Sequence, residues 1–114
     1  MIFDELTFHD STILEVTENT KDQTLDFLLD FYVDWENQRS EKKLLRFKDA
    51  IVYVKKEIPF MGMPTILEIK QIDSHKHTYK SPLGNIETSK YKIEIVTNAG
   101  SRFIEFSEAK LINA

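Results

Sequence analysis

The chain contains no cysteine among its 114 residues, and it has only three glycines and three prolines. The absence of cysteine excludes disulfides, thiolate metal ligands and cysteine nucleophiles. Three scattered glycines leave no glycine-rich phosphate loop. No apolar run approaches the length of about 18 residues that a membrane span needs. The first residues, Met-Ile-Phe-Asp-Glu-Leu, lack the basic and apolar parts of a secretory signal, so we expect a cytoplasmic protein without membrane contact.

The charge balance is mildly acidic, with 19 acidic side chains against 15 basic ones and a net charge of −4. A protein that binds nucleic acid without sequence preference needs a basic face to displace counterions, so the composition predicts no nucleic-acid partner. Hydrophobic residues make up 41% of the chain, including eight Phe. The length suits one domain, residues 1–114, with a core of its own.

The strongest pattern in the sequence is the alternation from Leu25 to Trp35. One side reads Leu25, Phe27, Leu29, Phe31, Val33 and Trp35, and the other reads Asp26, Leu28, Asp30, Tyr32 and Asp34. Period two with β-branched and aromatic residues predicts a central strand with one buried face and one mostly wet face.

Further strands are predicted on both sides of this segment. Thr12 to Glu18 should form a hairpin with it, with Leu14 and Val16 on the core face. Extended pieces are also predicted over 44–48, 51–54, 65–73, 91–96, 102–106 and 109–112. The polar segments Glu36 to Lys43 and Ser74 to Ile86 read as connections. The fold class is therefore mainly β, a single antiparallel β-sandwich or half-open barrel of about six to eight strands.

One segment allows a different fold class. Leu44, Phe47, Ala50, Ile51 and Val54 also mark one face of a helix, and Ser40 could cap it. The alternative is thus an α+β fold with a helix within 40–54. We prefer two strands with a bend at Asp49-Ala50, because Ile51-Val52-Tyr53-Val54 has poor helix propensity.

The apolar loop from Pro59 to Pro64 has two interpretations. Phe60, Met61 and Met63 either cap the core or form a methionine-rich contact surface, and the first is the more common case.

The acidic row on the central strand is the candidate partner-binding site. Asp26, Asp30 and Asp34 are about 13 Å apart on a strand, too far to share a cation or to act as an acid/base pair. With Tyr32 between them, they suit a basic protein partner, although a solvated face is the plainer interpretation.

The candidate metal site is Asp73, His75 and His77, which alternate along an extended chain. Two imidazoles and a carboxylate suit zinc, nickel or iron, but no fourth ligand is identifiable and Lys76 opposes a cation. His9-Asp10-Ser11 contains the residue types of a nucleophilic triad, yet adjacent side chains cannot adopt triad geometry. We predict a turn there, with His9 beside Phe8 or Trp35, and no catalytic residue.

Several segments together resemble a group of small bacterial proteins similar to immunity-protein families of polymorphic toxin systems. They are Phe8-His9-Asp10-Ser11, the strand from Leu25 to Leu29, Leu45-Arg46-Phe47-Lys48-Asp49, Tyr91-Lys92-Ile93-Glu94-Ile95, and, after a glycine turn, Phe103-Ile104-Glu105-Phe106. The chain departs from that pattern in its apolar loop, where those proteins carry a Trp-Gly element. The resemblance implies a protein that occludes a toxin without chemistry of its own.

The functional expectation is a non-enzymatic protein-interaction domain, immunity-like, with a basic toxin as its partner and no cofactor. The alternative is a metal- or small-ligand-binding domain that uses Asp73, His75 and His77. Exposed sheet edges also allow a homodimer, although nothing in the sequence selects one.

Overall fold

The computed structural model describes residues 2–59 and 62–114, apart from the side chains of His75, His77, Tyr79, Ile86, Glu87 and Thr88. The first element of the described residues is one short helix, and every later element is a β-strand. The elements are α1 (Ile2–Glu5), β1 (Thr12–Asn19), β2 (Thr24–Asp34), β3 (Arg39–Lys48), β4 (Val52–Glu57), β5 (Ile66–Ser81), β6 (Gly84–Thr97), β7 (Gly100–Phe106) and β8 (Glu108–Asn113).

The strands form two antiparallel sheets of four strands, in the spatial orders β1-β2-β3-β8 and β4-β7-β6-β5. The inner faces of both sheets contribute to one cluster of buried apolar side chains. This arrangement confirms the predicted mainly β sandwich, and the two sheets do not close into a barrel. The predicted β1–β2 hairpin is also confirmed.

The chain passes between the sheets at two neighbouring bends. Asp49, between β3 and β4, has a positive φ of 52°, and the N–H of Ala50 donates to the carbonyl of Gln23 at 3.0 Å. At the bend between β7 and β8, the N–H of Ser107 donates to the carbonyl of Lys48 at 3.0 Å. The bend at Asp49-Ala50 is therefore confirmed. The alternative helix within 40–54 is wrong, because these residues are in β3, the bend and β4.

The core is built on the first four inward residues of β2. Leu25, Phe27, Leu29 and Phe31 are all buried, as the alternation predicted. Phe47 from the next strand lies edge-on to Phe27, with ring centroids 5.7 Å apart. Complete burial of a side chain of this size stabilises the fold by about 1.5–3 kcal/mol, so this row fixes which face of the sheet turns inward.

A bulge near the end of β2 reverses the predicted alternation. The register with β3 shifts between Tyr32 and Asp34, which leaves Val33 as an extra residue. Val33 is 36% exposed and Trp35 is 44% exposed, so the prediction that both face the core is wrong. A bulged residue shifts the period-two pattern by one position, and sequence alternation alone does not reveal it.

A second bulge, in β1, changes which of its side chains face inward. The register with β2 shifts between Ile13 and Glu15. Ile13 is consequently buried and Val16 packs against the core, whereas Leu14 is only half-buried and is not part of the core cluster. The prediction for Val16 is confirmed, and the one for Leu14 is wrong.

The segment Ser74 to Ile86 was predicted as a connection, and this is wrong. It belongs to a long hairpin in which β5 and β6 pair from Ile66–Thr97 to Ser81–Gly84. Strand β7 covers β6 only from Tyr91 onward, so residues 75–90 extend beyond the sandwich as a two-stranded ribbon, here called the arm. Seven residues per strand correspond to about 24 Å. The molecule accordingly measures 54 × 29 × 26 Å.

Two further predictions concern connections. β3 begins at Arg39, so most of the predicted connection Glu36 to Lys43 is strand. Of the apolar loop, Met63 is 54% exposed and does not cap the core. The predictions for Phe60 and Met61 lie outside the described residues.

Candidate protein-binding surface

The predicted acidic row lies on the side of β2 that faces away from the core. Asp26, Asp30 and Asp34 are all half-buried, because the neighbouring strand β3 packs beside them. Each aspartate stands opposite a basic residue of β3 in the antiparallel register. The pairs are Asp26 with Arg46, Asp30 with Lys42, and Asp34 with Arg39. The negative charge of the row is therefore balanced by basic residues of β3. This surface is less acidic than the sequence of β2 alone indicates.

The best-formed of these pairs is Asp26 with Arg46. The Nε and Nη2 groups of Arg46 donate to the two carboxylate oxygens of Asp26 at 2.8 and 2.9 Å. Hydrogen bonding to Asp26 and its charge raise the pKa of Arg46. This bidentate geometry uses both oxygens, so Asp26 has little capacity left for a partner.

Asp34 has a local structural role as well. Its carboxylate accepts hydrogen bonds from the side-chain amide and the backbone N–H of Asn37, at 2.7 and 3.2 Å. These bonds hold the pKa of Asp34 below its usual value. The carboxylate stays ionised while it organises the turn between β2 and β3.

Three aromatic side chains gather at this same end of β2, of which His9 and Trp35 are exposed and Tyr32 is half-buried. The rings of Tyr32 and Trp35 are stacked, with centroids 4.8 Å apart and an interplanar angle of 23°. The ring of His9 lies 6.3 Å from Trp35, as predicted for the turn after Phe8. The bulge at Val33 brings Tyr32 and Trp35 together, since residues three apart point to opposite faces of a regular strand. We call His9, Tyr32 and Trp35 the aromatic patch.

Two carboxylates lie next to the aromatic patch. Asp10 lies 3.2 Å from His9, measured from Oδ1 to Nδ1, and Asp34 follows the bulged Val33 in the sequence between Tyr32 and Trp35. The part of the sequence before β3, residues 1–38, contains a single basic residue, Lys21. Its ten acidic residues are Asp4, Glu5, Asp10, Glu15, Glu18, Asp22, Asp26, Asp30, Asp34 and Glu36. An exposed indole beside carboxylates is the kind of feature that anchors a protein interface.

A buried ion pair between Glu57 and Arg102 was missed by the sequence interpretation. Both side chains are 4% exposed, and Arg102 donates to the two carboxylate oxygens at 2.8 and 2.9 Å. The Tyr53 hydroxyl accepts from Arg102 at 3.1 Å, and the Thr97 hydroxyl donates to Glu57 at 3.0 Å. Arg102 is two residues before Ile104, so the period-two pattern of β7 places both side chains on the inward face. The pattern does not identify the partner of Arg102.

This pair is built for structure rather than proton transfer. Burial alone would raise the pKa of Glu57, but hydrogen bonds from Arg102 and Thr97 outweigh it and leave that pKa below its usual value. A carboxylate that is ionised and fully hydrogen-bonded is a poor general acid or base near neutral pH. Arg102 also borders a cleft of about 590 Å³ between the edge strands β1 and β4.

The candidate metal residues lie on β5, where the arm begins. The carboxylate of Asp73 accepts a hydrogen bond from the backbone N–H of Ser74 at 2.8 Å. The side chains of His75 and His77 lie outside the description, and the remaining described side chains contain no cluster of three or more metal-ligating groups. The metal site therefore stays a prediction.

No protein-family model matches this chain, and neither the curated proteins nor the solved structures contain a match to it. Within residues 2–59 and 62–114, no helix has the length and apolar character to cross a membrane.

Proposed function

We propose that this protein is a non-enzymatic interaction domain that binds a basic protein through the aromatic patch and the acidic groups around it. The observation that carries the proposal is the exposed Trp35 stacked on the half-buried Tyr32 beside Asp34. Tryptophan and tyrosine supply most of the binding energy in many interfaces, and peripheral charge speeds encounter with a partner of opposite sign.

The proposed contact lies at the end of the acidic row that carries Asp34. Asp30, Tyr32 and Asp34 remain in it, together with Trp35 and His9. Asp26 contributes less, because Arg46 occupies both of its carboxylate oxygens. Binding by occlusion is also what the resemblance to immunity proteins implies, and within that class the partner is a basic toxin.

The experiment is affinity capture from bacterial lysates with the wild type, Trp35→Ala and a control, Ile51→Ala. Ile51 is 54% exposed and lies at the bend before β4, so its substitution removes a similar exposed apolar group outside the aromatic patch. Capture is quantified by mass spectrometry at low and moderate salt. We expect one basic protein to be retained by the wild type and the control, and to be lost with Trp35→Ala or with added salt.

Purified partner and isothermal titration then measure the effect directly. Truncation of an aromatic anchor should weaken binding by about 2 kcal/mol or more, which is about thirtyfold in Kd. If Trp35→Ala binds every retained protein as well as the wild type does, the aromatic patch is not the interface and the proposal is wrong.

The alternative function, a metal-binding domain at Asp73, His75 and His77, is tested by metal analysis of the purified protein. Stoichiometric zinc or nickel that survives dialysis and is lost in His75→Ala would favour this function.

A further inference from the structure

The arm has two strand edges without a partner. In the described part of the chain, β5 is the outer strand of its sheet, and β6 is paired by β7 only from Tyr91 onward. An isolated two-stranded hairpin is at best marginally stable in water, and its unpaired N–H and C=O groups can accept another strand. This geometry makes the arm a candidate for main-chain pairing with a second molecule.

The arm carries positive charge at its surface. Its residues 75–90 include three lysines and one glutamate. Lys76 and Lys80 are exposed along β5. Lys90 instead donates to the Ser107 hydroxyl at 2.9 Å and thereby fixes the base of the arm to the sandwich. The exposed charge of the described arm side chains is thus positive and lies on the outer strand.

An acidic strand edge with matching dimensions exists in the same chain. The start of β1 is bonded to residues 64–66, but its outer side is unpaired from residue 14 to residue 19 within the described structure. Glu15 and Glu18 are exposed there, and Asp22 lies in the following turn. Six extended residues span about 20 Å, close to the length of the arm.

We propose that the arm of one copy pairs along the β1 edge of a second copy, with the exchange made reciprocally. Lys76 and Lys80, which share one face of β5, would then lie along an edge that carries Glu15 on one face and Glu18 on the other. The charges attract across this edge at short range, while backbone hydrogen bonds extend the sheet. Pairing of two arms through β5 is disfavoured by comparison, because it would bring the lysines of both copies together. The inference does not depend on the aromatic patch.

The contact area predicts a weak dimer. An arm about 24 Å long and about 10 Å wide covers about 240 Å², and two reciprocal contacts bury about 1,000 Å² in total. That is near the lower limit of a specific interface, so the dimer should depend on both protein concentration and salt.

The test is sedimentation velocity over a range of concentrations reaching about 1 mM, the regime of weak association, at low and high salt. The monomer has a mass of 13.4 kDa. We expect the wild type to approach twice this mass at low salt, and to return to monomer at high salt. The double variant Lys76→Glu/Lys80→Glu should stay monomeric, as should Glu15→Lys/Glu18→Lys.

Mixing the two double variants restores charge complementarity at both contacts, because the acidic arm of one variant meets the basic β1 edge of the other and the reverse. A heterodimer should therefore form where each variant alone is monomeric. The control Lys42→Glu/Lys110→Glu changes the net charge by the same amount as Lys76→Glu/Lys80→Glu, but at exposed sites on other strands. It should dimerise like the wild type. Thermal melting of each variant establishes that it is folded. Lysines on an edge strand can have the opposite role, which is to prevent pairing. That role predicts a wild type that is monomeric at every concentration, and this result, or a mixture that fails to associate, would overturn the proposal.

Discussion

The buried pair of Glu57 and Arg102 gives the sharpest prediction about stability. In Glu57→Gln, the guanidinium of Arg102 stays buried at 4% exposure and faces a neutral amide. Removal of one member of a buried ion pair costs about 3–5 kcal/mol, because the remaining charge is uncompensated. The total free energy of unfolding of such a domain is about 5–15 kcal/mol, so the loss is a large fraction of it.

Urea denaturation measures this loss. With a slope of about 2 kcal/mol per molar urea, the midpoint of Glu57→Gln should fall by about 2 M. The double variant Glu57→Leu/Arg102→Leu removes both charges, and it should be much less destabilised than the sum of the two single variants. As a control, Asp26→Asn breaks an ion pair whose Arg46 side chain is 36% exposed, and its midpoint should change little.

The same pair predicts a dependence on pH. The folded-state pKa of Glu57 lies below its usual value of 4.5, so its ionised form stabilises the fold above that pH. Stability is lost as the pH falls through the lowered pKa, and the difference between wild type and Glu57→Gln should shrink there. If Glu57→Gln unfolds at the wild-type urea concentration at neutral pH, or if the double variant is as unstable as the summed single variants, the account of this pair is refuted.

Three other predictions concern single positions. Gly100→Ala should destabilise the fold by about 1–3 kcal/mol in the same urea titration, since φ is 149° and a Cβ would collide with the backbone of β4. Gly84→Ala is the control and should cost less, because the space around Gly84 is open. Phe27→Ala empties a fully buried site and should cost about 3–5 kcal/mol by calorimetry, and a loss below about 1 kcal/mol would contradict the described core. Tyr32→Ala uncovers one face of Trp35, the single tryptophan, so acrylamide should quench its fluorescence more strongly, and unchanged quenching would argue against the stack.

The sequence by itself determined the fold class and the central strand. The row Leu25, Phe27, Leu29 and Phe31 has a strict period of two, and burial of such a row permits only one register. The bend at Asp49-Ala50 was also readable, because poor helix formers follow it. The acidic residues of β2 were correctly expected on the side away from the core.

Only the tertiary structure decided what surrounds those residues. The bulge at Val33 depends on pairing with β3, and it alone turns Trp35 outward onto Tyr32. Pairing likewise placed Arg46 beside Asp26, and Glu57 beside Arg102 across 45 positions of sequence. The sequence did not predict the arm, because a ribbon that projects into solvent needs no alternation of apolar residues. Its strands are defined by backbone hydrogen bonds between the two strands of the hairpin.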